Sequence, residues 1–283
     1  MEQRVLLTGP SPRGWHRLQQ YLECPQKFAW HYRFGRDSDG KLLSGETEQN
    51  NAPPLVKGSL VHLGLAHHYA RMKETQEGRD PDLYLKPAEA IDLVSETNGP
   101  EWTQWKSLTT DCTLAYIDHY VDEKMKILRV EELMEGTFGG YRFTGRLDLV
   151  TEDSRGRVWA WDHKTTGRIQ AKQQQFYSVS GQLIGYQWLA RGAYGEKFAG
   201  MRVNLVQHGN GDFRFERPRM LQAPALYNRF PQTVVDAEQG IATLEASGRP
   251  HDEWPRAMNE MTCYGRYGAC RHLEKCKWGA STT

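Results

Sequence analysis

The 283 residues contain no run of about 18 apolar residues, so no membrane-spanning helix is expected. The first residues, Met1-Glu2-Gln3-Arg4-Val5-Leu6-Leu7, lack the long apolar core and small-residue cleavage site of an export signal. An excess of one charge is also missing: 36 Lys and Arg against 35 Asp and Glu leave a net +1. Near-neutrality neither demands nor excludes a nucleic-acid partner, because a basic groove can sit on a neutral protein. Cysteine is scarce at five, an odd number, and without an export signal a disulfide framework is not expected. A reducing cytoplasm is the expected compartment. Internal repeats and low-complexity tracts are absent. Aromatic residues are plentiful: nine Trp and thirteen Tyr supply a core, with some rings to spare for unpaired bases.

The informative segment is a pair of acidic strands, Gly145-Arg146-Leu147-Asp148-Leu149-Val150 and Trp159-Ala160-Trp161-Asp162-His163-Lys164-Thr165. Two carboxylates and a lysine interrupt β-prone apolar runs, and burying charge is costly unless it holds a metal or a partner. Between them, Thr151 to Arg157 carries Asp, Ser and Gly and reads as a hairpin turn centred near Ser154 and Arg155. That centre puts Asp148 within one residue of being opposite Asp162, and directly opposed Cβ atoms lie roughly 4.5–5.5 Å apart. Period-2 alternation sets Asp162 and Lys164 on one face, Trp161 and His163 on the other. Two carboxylates and an ammonium on one face suit metal-assisted phosphodiester hydrolysis. Carboxylates hold Mg²⁺ or Mn²⁺, and the ammonium orients or deprotonates water or stabilises the transition state. The plain alternatives are an Asp148–Arg146 ion pair and a solvated edge strand; flanking Trp159 and Trp161 speak against the second.

Around this segment the chain reads as helices, then strands. Ser11-Pro12 suggests a helix start, and Pro25 should break or restart that helix after Cys24. Residues 35–54 read as a mobile loop. Helices are expected from Lys57 to Lys73, Pro87 to Glu96 and Trp102 to Leu128, with strand texture from Val130 to Thr166. A helix over Ser180–Tyr194 follows. Strands over Ala199–His208 and Phe213–Arg217 flank the turn Gly209–Asp212, and a last long helix covers Ala223–Ala246. This order argues for an α/β core.

On the helix from Lys57, His62 shares a stripe with Leu65, Ala66 and Tyr69 and so points inward. It reads as a core histidine or a metal ligand. Gln182 and Tyr186 are four apart and share a helix face, which alone is no more than an amphipathic pattern. Cys263, Cys270 and Cys276 crowd the C-terminal end and, with Cys24 far upstream, supply four thiolates. Soft thiolates select zinc or an iron–sulfur cluster, and the spacing alone does not choose. Cys112 reads as a packed free thiol, and His272 as a dispensable neighbour.

Gly58…His62, Gly145-Arg146-Leu147-Asp148, Asp162-His163-Lys164-Thr165 and Gln182…Tyr186 stand in the order and approximate spacing of the PD-(D/E)XK nuclease superfamily. More narrowly the chain resembles the RecB-like branch, including CRISPR-associated exonucleases, AddB-type nucleases and phage relatives. Cys24-Pro25-Gln26-Lys27-Phe28 with the C-terminal cysteines matches the frame that holds a 4Fe–4S cluster there. The resemblance spans residues 11 to 278. It implies that His62, Asp148, Asp162 and the carbonyl of His163 ligate Mg or Mn and that Lys164 is the catalytic lysine. Gln182 and Tyr186 would contact DNA or support the site, and Cys24, Cys263, Cys270 and Cys276 would hold the cluster. Two departures stand out. The gap from Cys263 to Cys270 exceeds the two residues common among relatives, and an acidic residue one strand earlier is either Glu131 or Glu132.

The resulting expectation is one domain over 1–283 with a restriction-endonuclease-like core, a mixed sheet flanked by helices. An N-terminal helical insertion forms an arm over 70–129, and a cysteine clasp over 260–278 pairs with Cys24. Tyr264, Tyr267 and Trp278 are expected to wall that clasp. The implied activity is cleavage of DNA, single-stranded or at ends, in recombination, repair or phage DNA metabolism. A helicase or recombination protein is the implied partner, and a host's cytoplasm the compartment if the chain is phage-encoded. The alternatives are a non-cleaving DNA-binding subunit and a zinc-stabilised interaction protein.

Overall fold

The computed structural model describes residues 3–6, 8–34, 52–220, 223–265 and 268–278. In chain order these form α1 (Trp15–Glu23), α2 (Pro25–Ala29), α3 (Pro53–Gln76), α4 (Pro87–Thr97), α5 (Pro100–Thr103) and α6 (Lys106–His119). There follow β1 (Lys126–Phe138), β2 (Tyr141–Glu152), β3 (Val158–Thr166), α7 (Gln173–Ser178), α8 (Gly181–Tyr194), β4 (Phe198–Gln207) and β5 (Arg214–Glu216). The last elements are α9 (Pro224–Ala246), α10 (Glu260–Cys263), β6 (Tyr264–Gly265), β7 (Gly268–Ala269) and α11 (Leu273–Trp278). Two compact units result. The first takes residues 1–11, 50–136 and 144–230, the second 12–49, 137–143 and 231–283.

The first unit is an α/β fold on a five-stranded mixed sheet in the order β1-β2-β3-β4-β5. β2 and β3 run antiparallel, β3 and β4 parallel through α8, and β4 and β5 antiparallel. A parallel pair needs a crossover helix, which α8 supplies. The β2–β3 turn lies where the sequence places it. Asp153 N–H donates to Arg157 O at 2.9 Å, and Asp153 Oδ1 accepts the N–H groups of Arg155 and Arg157. Gly156 takes the left-handed φ of 72° that closes the turn. The ladder runs from Glu152↔Val158 to Leu149↔Trp161 and ends one residue short of Asp148 and Asp162.

The first unit's main core lies between α3, α6 and the sheet, where Val61, Leu65, Tyr69, Cys112, Tyr116, Leu149, Trp159 and Trp161 pack together. A smaller cluster of Val56, Leu60 and Ile91 joins α3 to α4, with Trp102 and Trp105 against it. Cys112 is fully buried and its thiol is pushed up to about 12 by desolvation, as suits a packed free thiol. Gly145 in β2 makes room for α8. A Cβ there would come within 2.6 Å of Leu189 Cδ1 and 2.9 Å of the Tyr186 ring. Gly145→Ala should therefore lower the unfolding free energy by about 1–3 kcal/mol, seen as a lower denaturant midpoint with an unchanged slope.

Three expectations need correction. The helix from Lys57 starts earlier, at Pro53, because proline is well suited to a first helical turn. The expected helix over Trp102–Leu128 ends at His119, and Lys126 already begins β1. β-branched Ile127 and Val130 feed the sheet, so tertiary pairing overrides the helical reading of that end. The first helix begins at Trp15 rather than beside Pro12, with Gly14 as its N-cap. Most of the loop expected over 35–54 lies outside the described residues.

In the second unit Pro25 restarts the chain as α2. Cys24 is its N-cap, with Sγ accepting the Lys27 N–H at 3.5 Å. Arg17 forms a bidentate pair with Glu238 at 2.5 and 3.1 Å, Gln26 Nε2 donates to His251 O at 2.6 Å, and Phe28 stacks on Trp254. These contacts tie α1 and α2 to the C-terminal segments.

Candidate functional site

The site starts where the β2–β3 ladder stops. Past Leu149↔Trp161, Asp148 does not continue the ladder; its Oδ2 accepts the His163 N–H at 2.6 Å. That bond fixes the carboxylate beside β3. From α3, His62 brings Nδ1 to 3.6 Å from Asp148 Oδ2. Gly58, one turn earlier, lets α3 approach β3: a Cβ there would stand 2.9 Å from Thr165 Oγ1.

The third acidic group is Glu131 of β1, one of the two candidates left open by the sequence. Glu131 is buried and sits at a left-handed φ of 49°, whereas Glu132 is largely exposed and pairs with Arg129. A left-handed residue inside a strand re-aims the side chain, and such strain gathers at functional sites. Among the described residues, His62, Glu131 and Asp148 form the one group of three metal-binding types whose ligand atoms lie within 4.8 Å of one another.

Asp162 stands outside that trio but next to it. Its side chain is 1% exposed, Oδ2 lies 2.7 Å from Lys164 Nζ, and Oδ1 accepts no hydrogen bond. Lys164 Nζ also donates to Gln182 Oε1 at 3.1 Å, and Gln182 Nε2 donates to Tyr186 Oη at 3.0 Å. The helical spacing of Gln182 and Tyr186 thus becomes one relay behind the lysine. The His163 ring faces away from Lys164, meeting Asn204 Nδ2 at 2.8 Å and stacking on Tyr69. Arg146 Nη1 donates to the Glu131 carbonyl at 3.1 Å.

Electrostatics in this pocket are dominated by burial. Desolvation pushes Asp148 and Asp162 up to about 6, although Lys164 opposes it at both. Desolvation together with the nearby Asp148 charge pushes Glu131 up to about 10. Burial drives His62 down to about 4, with Lys164 adding to the effect, so its imidazole is neutral at pH 7. For Lys164 burial works downward, but Asp162 and Asp148 outweigh it and the ammonium ends above its usual value. Three buried carboxyl groups that ionise reluctantly, an orphaned Asp162 Oδ1 and a neutral imidazole form a donor set short of positive charge. Hard oxygen donors with one imidazole suit Mg²⁺ or Mn²⁺.

In the second unit, Cys24, Cys263, Cys270 and Cys276 line one cavity with Trp30, Arg256 and His272. All four are free thiols, and among the described residues no three cysteine sulfurs lie within 4.8 Å of one another. The long gap from Cys263 to Cys270 is taken up by the β6–β7 ribbon, across which Cys270 N–H donates to Cys263 O at 2.7 Å. The expected aromatic wall is different. Tyr264 is 55% and Trp278 78% exposed, Tyr267 lies outside the described residues, and buried Trp30 lines the cavity instead, its ring 5.2 Å from that of His272. Trp30 opens the π-helical segment Trp30–Phe34 that follows α2, so no C-terminal pattern points to it.

No curated protein matches the chain in sequence. Among solved structures, the crystal structure of "Putative exonuclease" from Eubacterium rectale is similar at 13% identity and TM-score 0.42, covering 92% of this chain and 94% of that one. The crystal structure of SSO0001 is similar at 14% identity and TM-score 0.32, covering 67% and 84%. Residues 15–277 match the sequence pattern of the PD-(D/E)XK nuclease superfamily. With that match running through the helix of His62, the paired strands of Asp148 and Asp162 and both ends of the cysteine cavity, the chain belongs to the PD-(D/E)XK nuclease superfamily.

Proposed function

We propose that this chain is a divalent-metal-dependent deoxyribonuclease of the RecB-like branch, acting as an exonuclease on single strands or DNA ends. The observation that carries the reading is the charge-deficient pocket, with Asp162 bridged to a protonated Lys164 beside the His62–Glu131–Asp148 trio. His62, Asp148, Asp162 and the His163 carbonyl would hold Mg²⁺ or Mn²⁺, with Glu131 joining them. A bound cation would supply Lewis acidity and a lowered water pKa. The chain's own residues do the positioning. The His163 N–H holds the Asp148 carboxylate, Asn204 holds the His163 ring, and the Gln182–Tyr186 pair keeps Lys164 Nζ against Asp162. Held as an ammonium, Lys164 stabilises developing negative charge on the scissile phosphate rather than serving as the resting base. Incubating the chain with labelled single- and double-stranded DNA in Mg²⁺ or Mn²⁺ tests the reading. Metal-dependent release of nucleotides is expected, and no cleavage in either metal would contradict it.

A second test reads the metal without activity. At pH 7 Glu131 carries its proton, so a cation that takes its carboxylate must displace it. Binding should release about one proton at pH 7, and affinity should rise with pH up to the Glu131 titration. Isothermal titration calorimetry in buffers of different ionisation enthalpy measures that release. Glu131→Gln should abolish most of it.

The four cysteines belong to the same proposal as ligands of a 4Fe–4S cluster, with the second unit closed around it. Tetrahedral zinc with Zn–S about 2.3 Å brings sulfurs to about 3.8 Å of one another. A cubane cluster spaces its thiolates more widely, so iron and zinc analysis of the purified chain separates the two.

A further inference from the structure

The segment between β3 and α8 is not used by the chemistry above. Its two ends are pinned at the site: Lys164 lies two residues before the end of β3, Gln182 is the second residue of α8, and the two side chains are hydrogen-bonded. The segment therefore emerges and returns beside the metal-binding pocket. It is built rather than loose. Ile169 N–H donates to Gln207 Oε1 at 2.8 Å, Gln170 N–H to Gln173 Oε1 at 2.9 Å, and Gln174 Nε2 to Arg219 O at 2.6 Å. Tyr177 is buried and acts electrostatically on Lys164.

What this scaffold leaves outside is unusual. Phe176 in α7 is 60% exposed, and Val179, just past the end of that helix, is 62% exposed. Single exposed apolar residues need no explanation, but two together on a pinned turn beside a site are a different matter. The charge around them has one sign. From His163 to Gly195 the sequence has no Asp or Glu, while Arg168 and Lys172 are exposed and form no ion pair among the described residues. Four glutamines, Gln170, Gln173, Gln174 and Gln175, fill the rest with neutral hydrogen-bonding groups. An acid-free turn with two unpaired cations complements a phosphate backbone, and an exposed ring held on a rigid base suits an unpaired base.

We infer that the turn Gly167–Val179 is a single-strand guide, in which Phe176 stacks on an unpaired base of DNA while Arg168 and Lys172 contact its phosphates. The inference rests on the nuclease reading and specifies which form of the substrate reaches the site and by which residues. A duplex has its bases stacked inside and offers Phe176 nothing to stack on, so the ring selects unpaired ends.

The test is binding to a labelled oligothymidylate and to a blunt duplex, followed by fluorescence anisotropy in EDTA so that cleavage does not intervene. Phe176→Ala should weaken the single strand about tenfold and change duplex affinity less than twofold, with an unchanged melting temperature. Phe176→Trp should restore the single strand. The Arg168→Gln/Lys172→Gln double variant should reduce the salt slope for the single strand by about 1.4, from about 0.7 per phosphate contact. Unchanged single-strand affinity in Phe176→Ala, an equal loss for duplex, or an equal loss in Phe176→Trp overturns the inference. Metal-dependent cleavage by the unaltered chain with unchanged Phe176→Ala binding would overturn the guide and leave the nuclease reading standing. Selective loss of single-strand binding, in a chain that cleaves nothing, would do the reverse.

Discussion

Asp162→Asn and Lys164→Ala should each cut DNA cleavage by roughly 10²–10⁴ while leaving the fold intact. The first removes a charge that no other group supplies: Asp162 Oδ1 is buried and accepts no hydrogen bond, while Oδ2 pairs with Lys164. The second removes the ammonium that Asp162 and Gln182 position. Stability should move differently from activity. Burial raises Asp162 to about 6 in the folded chain, above the 3.8 of a free aspartate. A raised carboxyl contributes stability below its unfolded value and loses it as pH rises through the folded one. In EDTA at pH 8 the wild-type chain therefore carries a destabilising buried charge, and the neutral amide of Asp162→Asn relieves it. The variant should melt no lower than wild type at pH 8, with up to about 3 kcal/mol of relief, and the difference should shrink by pH 5. Cleavage and melting curves of the same preparation check both halves. Retained activity in Asp162→Asn, or a melting temperature that falls with activity, would return Asp162 to a structural role.

Much of this pocket is legible in the sequence because short-range rules place its parts. The turn at Asp153–Arg157 is signalled by its Asp and Gly, and once it is fixed, antiparallel register brings Asp148 beside the end of β3 that carries Asp162 and His163. Period 2 then carries Lys164 to the side of Asp162, and the four-residue spacing of Gln182 and Tyr186 puts both on the face of α8 that meets it. Glu131 could not be chosen over Glu132 this way. Its aim depends on a left-handed backbone at one strand position, which neither residue type announces. The end of α6 was hidden for a related reason: the residues after His119 suit a helix, and it is pairing within the sheet that draws Lys126 onward into β1. Pairing between distant segments decides both cases, and a local pattern carries no record of it.

Cys24→Ser should strip metal from the second unit and destabilise it, and the cap it leaves behind makes the result readable. Cys24 does two things in the fold: it caps α2 through Sγ and it lines the cavity with the three C-terminal cysteines. Serine is a better N-cap than cysteine, so if capping were its whole role, the substitution would be neutral or stabilising. As a ligand, serine replaces a soft thiolate by a poor donor. Binding free energy at a structural metal site is folding free energy, about 10–16 kcal/mol for zinc-finger peptides, so even a partial loss should be large beside the stability of a domain. The purified chain should be brown, with broad absorption into the blue and iron in the anaerobic preparation. Cys24→Ser should lose iron and solubility together, whereas Cys112→Ser, in the core of the first unit, should keep its iron. Elemental analysis beside the visible spectrum checks each variant. Stoichiometric zinc without iron would make the clasp a zinc site. Five freely titratable thiols in the folded chain, with no bound metal, would leave Cys24 as a helix cap alone.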